Sequence, residues 1–248
     1  MTSREEMIKL YAKQLKVSTF SRYKELVDEA QRDGWCYEEF LYQLMKAEVE
    51  KRQQNQLKWR IKNAGFPVIK TLDTFETEHL VHVEPATIWQ LATCEYIKRR
   101  ENVIMVGNPG TGKTHLSIGL GIAACRGGYR VRFYSAPALA TELAEAQDKY
   151  QLRRLEQAIN RADLLIIDDL SYITFSRRHS ELLFKLIAER TERASIIIST
   201  NLEFSRWTEL FDDPMLTAAL VDRLTFKAHI LNMNGESYRL KHRQPSMK

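Results

Sequence analysis

The chain has 248 residues, 44% of them hydrophobic and 28% charged, proportions that fit a globular protein and exclude a disordered one. That length predicts one main domain plus an extension, with enough residues to bury a core without disulfides or structural metals. The 37 Lys and Arg against 32 Asp and Glu leave a net charge of +5, which permits a nucleic-acid partner without requiring one.

Cys36, Cys94 and Cys125 are far apart and never form a CxxC pair. A disulfide framework and a Cys-rich zinc module are therefore excluded, and a reducing compartment fits. The longest near-apolar run, 116–124, has nine residues, about half a membrane span. The opening MTSREEMIKLYAK alternates charged and apolar residues without a signal-peptide core, so a cytoplasmic location is expected.

In chain order, residues 1–65 read as a polar, helical N-terminal domain. Residues 21–32 form a helical segment that Asp33-Gly34 ends with C-cap chemistry. Tyr37, Phe40, Leu41, Leu44, Met45 and Glu48 then mark one amphipathic face of a longer helix. Its polar continuation closes at Asn63-Ala64-Gly65-Phe66-Pro67, a domain boundary that leaves 66–248 as the second domain. An extended arm is expected over 68–84, with Pro85 opening a helix at its favoured first position.

From residue 102 onward, short apolar runs alternate with helical stretches. The runs at 103–106, 131–134, 164–167, 196–199 and 228–231 are continuously apolar rather than alternating. Burial on both faces follows, hence a parallel sheet flanked by helices in an α/β fold.

Between the first run and the helix 116–126 lies Gly107-Asn108-Pro109-Gly110-Thr111-Gly112-Lys113-Thr114, a complete GxxxxGK[ST] motif, followed by His115. Its glycines let backbone N–H groups converge on phosphate oxygens at a helix N-terminus, where the dipole favours negative charge. Lys113 is expected to reach the β- and γ-phosphates of ATP, and the Thr114 hydroxyl to ligate Mg²⁺. The run 164–167 delivers Asp168 and Asp169 at its end. Asp168 suits the Mg²⁺ role and Asp169 the polarisation of an attacking water. The run 196–199 ends near Asn201, whose amide could orient that water or cap a short helix at 204–211. Arg223, near the end of a helix at 216–225, reads alone as a surface ion pair. In an assembling nucleotide switch it could instead reach a neighbour's γ-phosphate. Arg239 is a second candidate of that kind.

Basic residues cluster at Arg99-Arg100, at Arg126, Arg130 and Arg132, at Arg153-Arg154 and at Arg177-Arg178. Residues 223–248 add six Lys/Arg against one Glu. No base-reading motif accompanies them, so any duplex-DNA binding should be largely insensitive to sequence. The six histidines have no metal-ligand spacing.

These motifs resemble an AAA+ ATPase of the DnaC/DnaA-like initiator and helicase-loader clade. The resemblance tightens to the IstB family, ATP-dependent helpers of insertion-sequence transposases. It rests on 64–72 (AGFPVIKTL), Asp168-Asp169-Leu170-Ser171-Tyr172, Asp222-Arg223-Leu224 and Gly235-Glu236-Ser237-Tyr238-Arg239. The resemblance implies a P-loop three-layer domain after an all-α N-terminal domain used for DNA or partner binding and assembly. It further implies ATP at the interfaces of a homo-oligomer on duplex DNA, DNA deformation, and recruitment of a transposase. Asn201 would act as sensor 1, Arg223 as a finger acting in trans, and Arg239 as a substitute sensor 2. Two departures point to slow hydrolysis. Asp169 stands where most AAA+ proteins carry Glu, and only 17 residues follow Leu231, too few for the usual AAA+ helical lid. The core motifs equally suit a replicative helicase loader, although the N-terminal part lacks the zinc-type cysteines some loaders use. A small-molecule kinase fits less well, because the strand-end acids and amide favour water as acceptor.

Overall fold

The computed structural model describes residues 3–77, 80–170, 176–191, 193–211 and 213–241, the side chains of 239 and 240 excepted. The chain divides into two compact units, Met1–Trp59 and Arg60–Lys248.

The first unit holds α1 (Arg4–Gln14), α2 (Tyr23–Asp33) and most of α3 (Tyr37–Ala64). A reciprocal capping box opens α1: the Glu6 N–H donates to the Ser3 hydroxyl and the Ser3 N–H to the Glu6 carboxylate. Gly34 ends α2 at φ +65°, the left-handed conformation a glycine reaches at little cost. The amphipathic stripe expected on α3 is only partly covered. Leu44 and Glu48 are buried, while Tyr37, Leu41 and Met45 stand exposed. The short turn Ser18–Arg22 seats on the covered row, with Thr19 bound to Glu48. The stripe is wider than that small neighbour can shield.

The second unit is a five-stranded, wholly parallel sheet of order β2-β3-β4-β1-β5. Its strands are β1 (Asn102–Val106), β2 (Val131–Ser135), β3 (Leu164–Asp168), β4 (Ser195–Thr200) and β5 (Ala228–Asn232). Every residue of β3 and β4 is buried, as continuously apolar strands between two helical layers require. The helices of this unit are α4 (Pro85–Ala92), α5 (Glu95–Arg99), α6 (Lys113–Arg126), α7 (Ala136–Asp148), α8 (Leu152–Asn160), α9 (Arg177–Thr191), α10 (Thr208–Phe211), α11 (Pro214–Thr225) and α12 (Tyr238–Lys241). The core gathers Leu139, Leu143, Ile167, Leu183, Ile198 and Trp207 between the sheet and α7, α9 and α11.

Two features position the site. Asn102, buried at the start of β1, donates from Nδ2 to Leu224 O and accepts the Ile196 N–H at Oδ1, each at 3.1 Å. One amide thereby ties β1 and β4 to the end of α11, and so fixes the backbone beside Arg223. The second feature is the arm after α3. Arg132 Nη1 donates to Asn63 O at 3.0 Å, and the Phe66 ring meets Phe133 edge-on at 6.0 Å. Within the arm the turn Leu72–Thr74 interrupts the expected extended chain, closed by the Thr74 hydroxyl donating to Thr71 O at 3.0 Å. Beyond β5 the only helix among the described residues is the four-residue α12. No helix among the described residues is long and apolar enough to cross a membrane.

Candidate nucleotide site

The carboxyl ends of β1, β3 and β4 converge on one edge of the sheet, where open parallel sheets carry their ligand crevice. The loop 107–112 turns from β1 into α6, with Gly110 at φ +84° and Gly112 at φ +92°. α6 is buried along almost its whole length, so its first-turn N–H groups are held rigidly toward the cleft. Lys113 is folded back over the loop, with Nζ 2.6 Å from both Gly107 O and Asn108 O. Thr111 steadies the loop by donating to Asn108 O at 2.9 Å, and Pro109 forms part of the cleft wall. Thr114 Oγ1 donates to Asp168 Oδ2 at 2.9 Å. His115 lines the cleft and also anchors the arm: Nε2 lies 2.9 Å from Thr71 O.

Asp168 ends β3. Ser199, on β4, donates its hydroxyl to Asp168 Oδ1 and accepts the Asp169 N–H at 2.9 Å. Asp169 sits at φ +59°, a left-handed conformation that Asp tolerates better than most residues but that still costs about 1 kcal/mol. β4 holds this turn by two more bonds, Leu170 N–H to Ser199 O at 2.9 Å and Thr200 Oγ1 to Leu170 O at 2.8 Å. The turn aims the second acid at Asn201, whose Nδ2 lies 3.4 Å from Asp169 Oδ1. The alternative role of Asn201 as a helix cap is not what the structure has. Glu203 precedes the turn at Phe204–Arg206, and no side chain caps it.

Burial pushes the Asp168 carboxyl above its ordinary value, with the Asp169 charge adding to the push. The hydrogen bonds from Ser199 and Thr114 and the nearby Lys113 charge oppose it. A divalent cation would relieve that strain directly. The donor set, the Thr114 hydroxyl on the cleft wall and the buried Asp168 carboxylate bonded to it, suits Mg²⁺, which keeps phosphate and water oxygens as further ligands.

The cleft has a volume of about 490 Å³. Its lining includes five residues that sequence reasoning missed: Lys70, Thr74, Phe75 and Glu76 from the arm, and Tyr238. Ser199 was missed as well, although alternation along a strand places 199 and 201 on one face. Arg223 does not line the cleft; it is exposed on the last turn of α11 and, among the described residues, pairs with no carboxylate. The Arg239 side chain, Ser171 and Tyr172 lie outside the described residues.

The loop, the strand-end acids and amide, and the strand order define a P-loop nucleotide-binding domain of the AAA+ type. The chain belongs to the family of IstB-like ATP binding proteins, whose family model matches residues 10–246. It is 37% identical over 231 residues to the ATP-binding protein of insertion sequence IS21 from Pseudomonas aeruginosa, covering 93% of this chain and 87% of that one. The ATP-binding protein of insertion sequence IS5376 from Geobacillus stearothermophilus is 34% identical over 223 residues, covering 90% and 89%. Among solved structures, the DnaC helicase loader shares the fold at TM-score 0.53 and 19% identity, covering 71% of this chain and 99% of that one. AMPPCP-bound DnaA from Aquifex aeolicus does so at TM-score 0.54 and 20% identity, covering 67% and 51%.

Proposed function

We propose that the protein is an ATP-dependent regulator of DNA transposition, which assembles on duplex DNA and recruits or stimulates a partner transposase. The observation that carries the nucleotide part is the convergence of Lys113, Thr114, Asp169 and Asn201 on one cleft, with the buried Asp168 behind its wall and hydrogen bonds through Ser199 linking Thr114, Asp168, Asp169 and Asn201. The membership in an insertion-sequence family supports the transposition part.

In this reading Lys113 and the α6 amides hold the phosphates, while Thr114 and Asp168 hold Mg²⁺. Asp169 accepts a proton from the attacking water and Asn201 orients that water. The shorter Asp169 side chain makes hydrolysis slow, so that it works as a timer. Arg223 is exposed and not part of the lining of its own chain's cleft, and in this reading it acts on the nucleotide of an adjacent copy. ATP then binds the assembled state better than the separate chains, and hydrolysis removes that differential affinity. Residues 1–65 supply partner and DNA contacts, and the exposed Tyr37, Leu41 and Met45 offer apolar surface for assembly.

The test is DNA-dependent self-assembly with Mg·ATP, measured by light scattering for the wild type and for Lys113→Ala and Arg223→Ala. Both variants should assemble poorly, and Arg223→Ala should retain nucleotide binding. Unchanged assembly in both would overturn the gating role, and co-purification with a hexameric helicase rather than a transposase would overturn the assignment to transposition.

A further inference from the structure

Two segments outside the sheet close over the cleft from opposite ends of the phosphate loop. The arm is fixed at the far end, where Thr71 O meets His115 and the Phe75 ring packs edge-on to the imidazole at 5.2 Å. A strap, residues 233–238, leaves β5 and is fixed along the near end. The Met233 N–H donates to Val106 O at 2.7 Å, the Asn108 N–H to Asn234 Oδ1 at 3.1 Å, and the Tyr238 N–H to Gly110 O at 3.1 Å.

Strap and loop touch so closely that two glycines of the loop are needed for the strap as well as for phosphate. A Cβ on Gly107 would lie 2.3 Å from the Met233 carbonyl carbon, and one on Gly110 would lie 2.2 Å from Ser237 Oγ. The strap is therefore seated on the loop backbone and cannot move inward. Arm and strap meet where the Tyr238 hydroxyl donates to Glu76 Oε1 at 2.9 Å, and both residues line the cleft.

We infer that Glu76 and Tyr238 form a clasp across the mouth of the nucleotide cleft, and that its opening sets how fast nucleotide enters and leaves. The inference rests on the Mg·ATP reading above. A ligand lying along 110–114 has the arm anchored beyond one end and the strap beyond the other. Parting the two at Glu76–Tyr238 breaks an exposed side-chain bond, whereas moving the strap off the loop breaks bonds anchored on the loop and β1 backbone. The clasp is thus the weakest point of the enclosure. Because the bond joins two protein groups and uses no ligand atom, it forms whether or not nucleotide is bound. It therefore acts on both directions of exchange, which a direct ligand contact does not.

The experiment is stopped-flow exchange of a fluorescent N-methylanthraniloyl ATP with Mg²⁺ on the full chain, for wild type, Glu76→Ala, Tyr238→Phe and the double variant. Each single variant should raise both the association and the dissociation rate about fivefold, the worth of one net hydrogen bond. The dissociation constant should barely move, and the double variant should be no faster than either single one. Wild-type uptake with unchanged rates in the variants overturns the clasp. So does a loss of melting temperature alone, which marks a structural staple. A faster dissociation with weakened affinity also overturns it, since that is the signature of a direct ligand contact. Failure of the wild type to bind at all would instead overturn the nucleotide reading beneath it.

Discussion

Ser199 holds Asp168 and Asp169 together: its hydroxyl donates to Asp168 Oδ1 and accepts the Asp169 N–H. One buried oxygen thereby orients the carboxylate proposed to hold Mg²⁺ and the backbone of the carboxylate proposed to activate water. Ser199→Ala removes both bonds while leaving the strand apolar and small. Phosphate release should fall by about tenfold or more, because small displacements of catalytic groups are costly. The Mg²⁺ concentration needed for half-maximal rate should rise, and nucleotide affinity should change little. Ser199→Thr, which keeps the hydroxyl on a strand that favours β-branching, should restore much of the rate. A Ser199→Ala enzyme with wild-type turnover and Mg²⁺ requirement would show that the hydroxyl is only filling space.

Asp169 combines a left-handed backbone with a side chain directed at Asn201. Asp169→Asn keeps a residue that accepts φ above zero but removes the carboxylate proposed as the proton acceptor. Turnover should drop about 100-fold, with melting temperature and nucleotide affinity near wild type. Asp169→Val should instead melt at a lower temperature, since a β-branched residue is a poor occupant of that conformation. Differential scanning fluorimetry beside a phosphate-release assay separates the two effects.

The sheet and the phosphate loop were legible in the sequence because their signals are local. Continuous apolar runs such as 164–167 admit burial on both faces, and the GxxxxGK[ST] spacing carries its own mechanism. The cleft walls were not legible, because their partners are remote along the chain. Glu76 and Tyr238 are 162 residues apart, and nothing near either announces the other. Ser199 reads as a strand serine until β3 is laid beside it. The α3 stripe misled for a different reason. Periodicity shows that Leu41 and Leu44 share a broad face, but the size of the neighbour decides that only Leu44 is buried.

Glu48 gives the helical unit an acid-sensitive anchor. Burial alone would raise its carboxyl, but hydrogen bonds from the Thr19 hydroxyl and amide and from Arg52 outweigh that and hold it below the ordinary 4.5. A depressed folded-state value stabilises the fold above the unfolded-state value, and the contribution is lost as pH falls through the folded one. Hydrogen-exchange protection, corrected for the intrinsic rate at each pH, should therefore fall over Ser18–Arg22 and the first half of α3 as pH drops below the ordinary glutamate value. Glu48→Gln should exchange faster at neutral pH and show a flatter acid dependence. A steep acid response that survives in Glu48→Gln would assign the sensitivity to another carboxylate.

Arg190 on α9 is buried without a carboxylate partner among the described residues, and main-chain carbonyls satisfy two of its three nitrogens. Its Nη1 donates to Ile159 O at 3.0 Å and its Nη2 to Ala162 O at 2.7 Å, while Nε has no partner among the described residues. Burial draws its pKa down to about 10, so the group stays charged at neutral pH and serves as a cationic cap on the end of α8. Two effects compete in Arg190→Met. Relief of the desolvated charge favours the variant, and two carbonyls deprived of their donors oppose it, each costing about 1–3 kcal/mol. The second effect should win, lowering the urea midpoint by a net amount on the order of 1 kcal/mol, with no change in nucleotide affinity because Arg190 is not part of the cleft lining. A midpoint at or above the wild-type value would mean that the buried charge costs the fold more than its two bonds return.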